Sequence, residues 1–95
     1  MNLIWSPEAI DDLASIRQYI AQDDPRAARK VVSAIITLIE RQLPQFPRSG
    51  RKGRVAGTLE LVVPRLPFVV PYRLNGDDIE ILRVYHGARI WPDQL

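Results

Sequence analysis

Cysteine is absent from the 95 residues, and histidine occurs once, at His86. Without thiols there is neither a disulfide framework nor a thiolate metal site, and zinc held around a single imidazole would have to rely on carboxylates. No metal and no cofactor are therefore expected. No apolar run approaches the roughly 18 residues that a membrane-crossing helix requires. The N-terminus also lacks the basic region and apolar stretch of a signal peptide, so a cytoplasmic protein without membrane contact is expected. Acidic residues are missing from one segment. Between Arg41 and Thr58 there are Arg41, Arg48, Arg51, Lys52 and Arg54 and no carboxylate, whereas acids outnumber bases before Arg41. A segregated basic segment points to an anionic partner more directly than the net charge of +2 does.

The remaining composition, 46% hydrophobic and 25% charged, is that of an ordinary globular chain. One domain over residues 1–95 is expected, long enough to bury about two-thirds of the surface of the unfolded chain. Asn2 to Trp5 can form a short strand, with Trp5 in the core. Ser6-Pro7-Glu8 then carries three helix-start signals: an N-cap hydroxyl, a proline that lacks no needed donor, and an acid at the positive end of the dipole. Ala9, Leu13, Ile16 and Ile20 continue as one helical face to about Gln22. Asp24-Pro25 starts a second helix, whose stripe of Ala28, Val31, Val32, Ile35, Leu38, Ile39 and Leu43 is broad enough to cover a sheet. The short link between the two makes an antiparallel hairpin.

Pro44 and Pro47 close that helix, and Pro47 to Gly57 is a basic, glycine-punctuated loop. Strands are predicted over Leu59–Val63, Phe68–Leu74 and Ile79–Tyr85. Asn75-Gly76 between the last two signals a hairpin, since both residues tolerate positive φ. Pro71 interrupts the middle strand, which should be an edge at that point or carry a bulge. Helices first and strands afterwards predict an α+β fold: an N-terminal strand and a helical hairpin on a mainly antiparallel sheet of about four strands.

Simple alternation in the last strand sets Ile79, Ile81, Arg83 and Tyr85 on one face and Glu80, Leu82, Val84 and His86 on the other. His86 has the right intrinsic titration range for a general acid or base, Arg83 and Arg89 can hold phosphate, and Tyr85 can donate a proton or stack on a base. The wider set of candidate target- or phosphate-binding cations is Arg51, Lys52, Arg54, Arg65, Arg73, Arg83 and Arg89. The competing structural reading pairs strand arginines with acids such as Glu60 or Glu80, and makes Trp91-Pro92 a cap on the sheet or core.

The segments WSPEAIDDLASIRQYIAQDDPRAARKVV, GTLELVV, YRLNGDDIEILRVYHGAR and the closing WP resemble, in order and over nearly the whole chain, the RelE/ParE superfamily of type II toxin-antitoxin toxins. The resemblance implies a cognate antitoxin whose flexible segment wraps the toxin, with operator DNA reached only through that antitoxin. Arg65, Arg73 and Arg83 are candidates for holding it. It also implies one of two targets. Ribonuclease members, which cut mRNA on the ribosome, carry an Arg three positions before a strand Tyr; counted back from Tyr72, that position is Val69 here. Their paired lysines have no counterpart in LELVV. ParE-like members poison DNA gyrase without a hydrolytic centre, and this branch is the preferred reading. The alternative is a metal-independent endoribonuclease using His86, Arg83 and Tyr85, assisted by Arg51, Lys52 and Arg54. On the preferred reading, His86 and Arg83 organise the sheet end and a partner-binding surface.

Overall fold

The structure is a computed structural model describing residues 1–95. Its elements are β1 (Asn2–Trp5), α1 (Pro7–Ala21), α2 (Pro25–Gln42), β2 (Arg51–Lys52), β3 (Leu59–Val62), β4 (Phe68–Asn75), β5 (Asp78–Ile81) and β6 (Tyr85–His86). Both helix starts follow the local chemistry. Ser6 Oγ accepts from Ala9 N–H at 3.0 Å, and Asp24 Oδ1 accepts from Arg26 and Ala27 N–H at 3.1 Å each. The helices pack side by side on one face of a six-stranded sheet ordered β1-β5-β4-β3-β2, with β6 also paired to β4. Only the β1–β5 pairing is parallel. The two-residue β2 lies in the segment that the sequence pattern reads as a loop, and β6 is the detached end of the predicted Ile79–Tyr85 strand.

Alternation assembles the core beneath the helices. Leu61, Val63, Phe68, Val70, Tyr72, Ile79 and Ile81 meet Ala9, Leu13, Ile35, Ile39 and Leu43, and Trp5 packs against this cluster from its edge. Tyr72 is fully buried, and burial pushes its phenol pKa up, only partly offset by the Gly50 N–H and by Arg48. Its hydroxyl donates to Pro47 O at 2.8 Å and accepts from Gly50 N–H at 2.9 Å, which fastens the chain after α2 to the sheet. A β-carbon at residue 50 would sit 2.6 Å from that hydroxyl, so the close approach needs glycine.

Two expectations are corrected. Asn75 pairs with Asp78, so the hairpin turns on Gly76 and Asp77, and only Gly76 has positive φ, at 59°. The turn therefore places glycine first, as type II′ does, and does not use Asn-Gly as its centre. Pro71 does not make β4 an edge, because Pro71 pairs with Glu60 on β3 and its carbonyl accepts from Leu82 N–H at 3.0 Å. In an antiparallel strand a residue's N–H and C=O point to the same neighbour, so the missing donor faces the β5–β6 junction. There the predicted continuous strand breaks. Between the pairs Tyr72↔Ile81 and Val69↔Tyr85, Val70 and Pro71 are opposed by Leu82, Arg83 and Val84. The bulge thus lies in the partner strand.

Replacing Tyr72 by Phe is expected to lower unfolding stability by about 1–3 kcal/mol, since Gly50 N–H and Pro47 O lose their shared partner. Because the folded pKa is raised, the tyrosine's contribution is fully present below pH 10.0 and falls away as pH climbs through the higher folded value. Urea titrations of both proteins from pH 8 to 11 measure this; parallel pH profiles for wild type and Tyr72→Phe would contradict it.

Candidate functional site

The extra residue at the bulge reverses the faces that simple alternation assigns. Val84 joins Ile79 and Ile81 in the core, while Tyr85 points to the opposite face of the sheet and is 1% exposed. Arg83 does not project from the sheet as a free cation. Its Nε donates to Asp12 Oδ2 at 2.8 Å and its second fork nitrogen to Asp12 Oδ1 at 2.9 Å. Val84 N–H, left without a strand partner by the bulge, donates to Asp12 Oδ2 at 2.9 Å. One carboxylate on α1 therefore closes both the charge and the backbone at the break. The hydrogen bond to Asp12 is the main reason that the Arg83 pKa is raised.

The basic loop is likewise bound to the fold. Glu60, 1% exposed on the face away from the helices, accepts from Arg51 Nε at 3.0 Å and from Arg54 N–H at 2.8 Å. The Arg54 guanidinium lies 3.5 Å from the second Glu60 oxygen and stacks 3.9 Å from the centroid of Trp91. Trp91 in turn meets Tyr85 edge-on at 5.0 Å, and Arg83 and Arg89 lie over the Tyr85 ring at 4.7 and 4.4 Å. Trp91 is thus the sheet cap that its position suggests, and Pro92 stays exposed. Arg73 pairs with Glu80 across the strands at 2.9 Å. Arg51, Arg54, Arg73 and Arg83 are all committed to carboxylates, and the separation of acid from base in the sequence disappears in the fold.

His86 is exposed, with its ring edge-on to Phe68 at 5.9 Å. Its Nδ1 accepts from Ala88 N–H at 3.1 Å. The three residues that would have to cooperate in phosphate-ester cleavage are not brought together. Arg83 is held on α1, the Tyr85 hydroxyl is buried without a hydrogen-bond partner in the chain, and only His86 faces outward. Of the candidate cations, Lys52, Arg65 and Arg89 remain exposed and outside any ion pair.

A surface that the strand-centred reading missed runs along the outer side of α2. Arg29, Lys30 and Arg41 rim a groove whose apolar parts are Ala34, Leu38 and Phe46, and no acid lines it. Phe46 is 61% exposed there. The signal was available in the chain as a cationic row at helical spacing beside Phe46, but the apolar stripe of the same helix drew the reading to its other face.

A family model described as the ParE toxin of the type II toxin-antitoxin system parDE matches residues 3–91. The chain belongs to the ParE toxin family. The Y4kP protein of Sinorhizobium fredii is 43% identical over 91 residues, 96% of this chain and 93% of that protein. Toxin RelE2 of Caulobacter vibrioides is 32% identical over 94% of this chain and 98% of its own length. A solved structure of the chromosomal ParDE system from P. aeruginosa superposes with a TM-score of 0.83 at 34% identity, covering 90% of this chain and 95% of that one. As a ParE toxin, the protein is the toxin half of a type II toxin-antitoxin module, with an antitoxin as its partner. No helix of this toxin is long and apolar enough to cross a membrane.

Asp12→Ala should cost about 1–3 kcal/mol, because it strands a partly buried guanidinium and the Val84 N–H together. Tyr85→Phe should not lower stability, and should raise it by up to about 1–3 kcal/mol, while leaving toxicity intact, since the hydroxyl it removes is buried without a partner. Chemical denaturation and a growth-inhibition assay separate these outcomes from a catalytic role, in which Tyr85→Phe abolishes toxicity without unfolding the protein.

Proposed function

We propose that this ParE toxin inhibits DNA gyrase by binding, without a hydrolytic centre of its own. The observation supporting this reading is the commitment of Arg83 to Asp12 at 2.8 and 2.9 Å. A metal-free ribonuclease needs a cation on the phosphate beside its acid or base. Of the two arginines three residues from His86, Arg83 is spent on fold closure and Arg89 lies over the Tyr85 ring at 4.4 Å. Tyr85 is unavailable for the same reason, being packed beneath Trp91. Stabilising a gyrase–DNA cleavage complex asks only for a complementary surface.

The α2 groove supports a role in antitoxin binding. Three cations around an apolar floor, with no acid lining it, suit an acidic amphipathic helix that lays its apolar side chains beside Leu38 and Phe46. A flexible antitoxin segment ordering in this groove loses conformational entropy on binding, offset by the apolar contact and the rim charges. Arg65 and Arg73, the strand-side candidates for this role, lie outside the groove.

The alternative, ribosome-dependent mRNA cleavage, draws on the exposed His86 and on the RelE name of the Caulobacter vibrioides relative. Toxin freed of antitoxin distinguishes the two. Loss of supercoiling with accumulation of cleaved DNA, unchanged in His86→Ala, is the expected result. Specific cuts in translated mRNA that disappear in His86→Ala would overturn the gyrase reading. For the groove, Arg29→Glu combined with Lys30→Glu and Arg41→Glu should weaken antitoxin binding by about 10–100-fold and flatten its salt dependence. Calorimetry showing unaltered affinity would remove α2 from the interface.

A further inference from the structure

The β3–β4 connection contains the chain's one non-glycine residue with positive φ, Arg65 at 65°. Leu66 N–H points to Val63 O at 3.4 Å and Val63 N–H donates to Phe68 O at 3.0 Å, so the chain reverses over Pro64 and Arg65. Proline first and a left-handed residue second is the pattern of a type II turn, whose second central position favours glycine or asparagine. An arginine there carries the steric penalty of its β-carbon against the carbonyl. Nothing inside the chain compensates: Arg65 is exposed, and no carboxylate pairs with it. A strained backbone that gains nothing at home directs attention to what the side chain meets outside.

The surroundings narrow that partner. Proline stands at 64 and 67, Leu66 packs against the core, and Pro67 O accepts from Gly87 N–H at 2.7 Å. The tip is therefore braced from within and tied to β6, with exposed Val62 and His86 at the same end of the sheet. A braced tip loses little freedom on docking against another folded surface, which is of less use to a partner that itself orders on binding. A single guanidinium among prolines and a valine differs from a nucleic-acid footprint, which spreads several cations along a phosphate track. One planar fork in a partly apolar setting fits one carboxylate on a folded protein.

We propose that Arg65 is a target-contact residue of the toxin, reaching from the strained tip to an acidic side chain on the gyrase surface. This rests on the gyrase reading above. The α2 groove remains the antitoxin's, so the two partners use separate surfaces.

The test compares purified full-length wild type with R65G, R65N and R65K, recording thermal unfolding, inhibition of gyrase supercoiling and antitoxin affinity for each. R65G relieves the strain, so its unfolding midpoint should rise by about 4–8 °C, while the concentration giving half-inhibition should rise at least about tenfold. R65N, which tolerates the left-handed backbone, should follow R65G; R65K should retain more of the inhibition than either. Antitoxin affinity should not change. Full inhibition by R65G beside an active wild type overturns the proposal alone. So does a lowered unfolding midpoint for R65G, which removes its premise, or a loss confined to antitoxin binding, which reassigns the tip. Failure of the wild type to inhibit gyrase sinks the gyrase reading and this proposal with it.

Discussion

The carboxylate of Asp12 is the contact on which the sheet end depends. Pro71 deprives the central strand of one donor, and the neighbouring strand responds with an extra residue between Ile81 and Tyr85. That bulge would leave Val84 N–H unpaired and Arg83 loose. Asp12, 71 residues before Arg83, accepts from both and joins α1 to the bulge. The interaction is partly buried, with side-chain exposures of 26% for Arg83 and 14% for Asp12, so solvent screens it less than it would a surface pair. The bulge that it satisfies carries the burial of Val84, the turning of Tyr85 to the opposite face, and the seating of Trp91 on Tyr85.

A fully buried acid, Glu60, acts in the same way on that opposite face. Glu60 gathers Arg51 and the backbone of Arg54, and Arg54 then reaches the ring of Trp91. A carboxylate at 1% exposure is tolerable because both its oxygens accept hydrogen bonds. The arginines that look like phosphate ligands in the sequence thus hold the chain together, and the cations left for partners are those outside this network. The sheet interior is thus used up by the fold, while the cations on the outer side of α2 and at the β3–β4 tip stay exposed and outside any ion pair.

The legible parts of the fold are those set by near neighbours. Ser6-Pro7 and Asp24-Pro25 begin helices because cap, proline and dipole act within one turn, and the apolar periodicity of α1 and α2 shows which faces are buried. A hairpin near Asn75-Gly76 was equally visible, although its register moved the turn onto Gly76-Asp77. The structural reading pairs strand arginines with acids such as Glu60 or Glu80; Arg73 does pair with Glu80, whereas Glu60 takes Arg51 and Arg54 from the segment read as a loop. The partnership of Arg83 with Asp12 was not visible, because the bulge that creates it answers a proline on another strand.

The sequence by itself determined the family, the helical hairpin, the core faces of α1, α2 and β4, and the absence of any thiol chemistry. These rest on local periodicity and on residue types that are present or missing whatever the chain's path. Only the tertiary structure decided which of the conspicuous side chains are free. Tyr85 and His86 are neighbours in the chain, yet a one-residue slip in strand pairing buries the first beneath Trp91 and leaves the second in solvent. Side-chain direction in a sheet has a period of two, so a single inserted residue reverses it, and the need for that insertion came from Pro71 across the ladder.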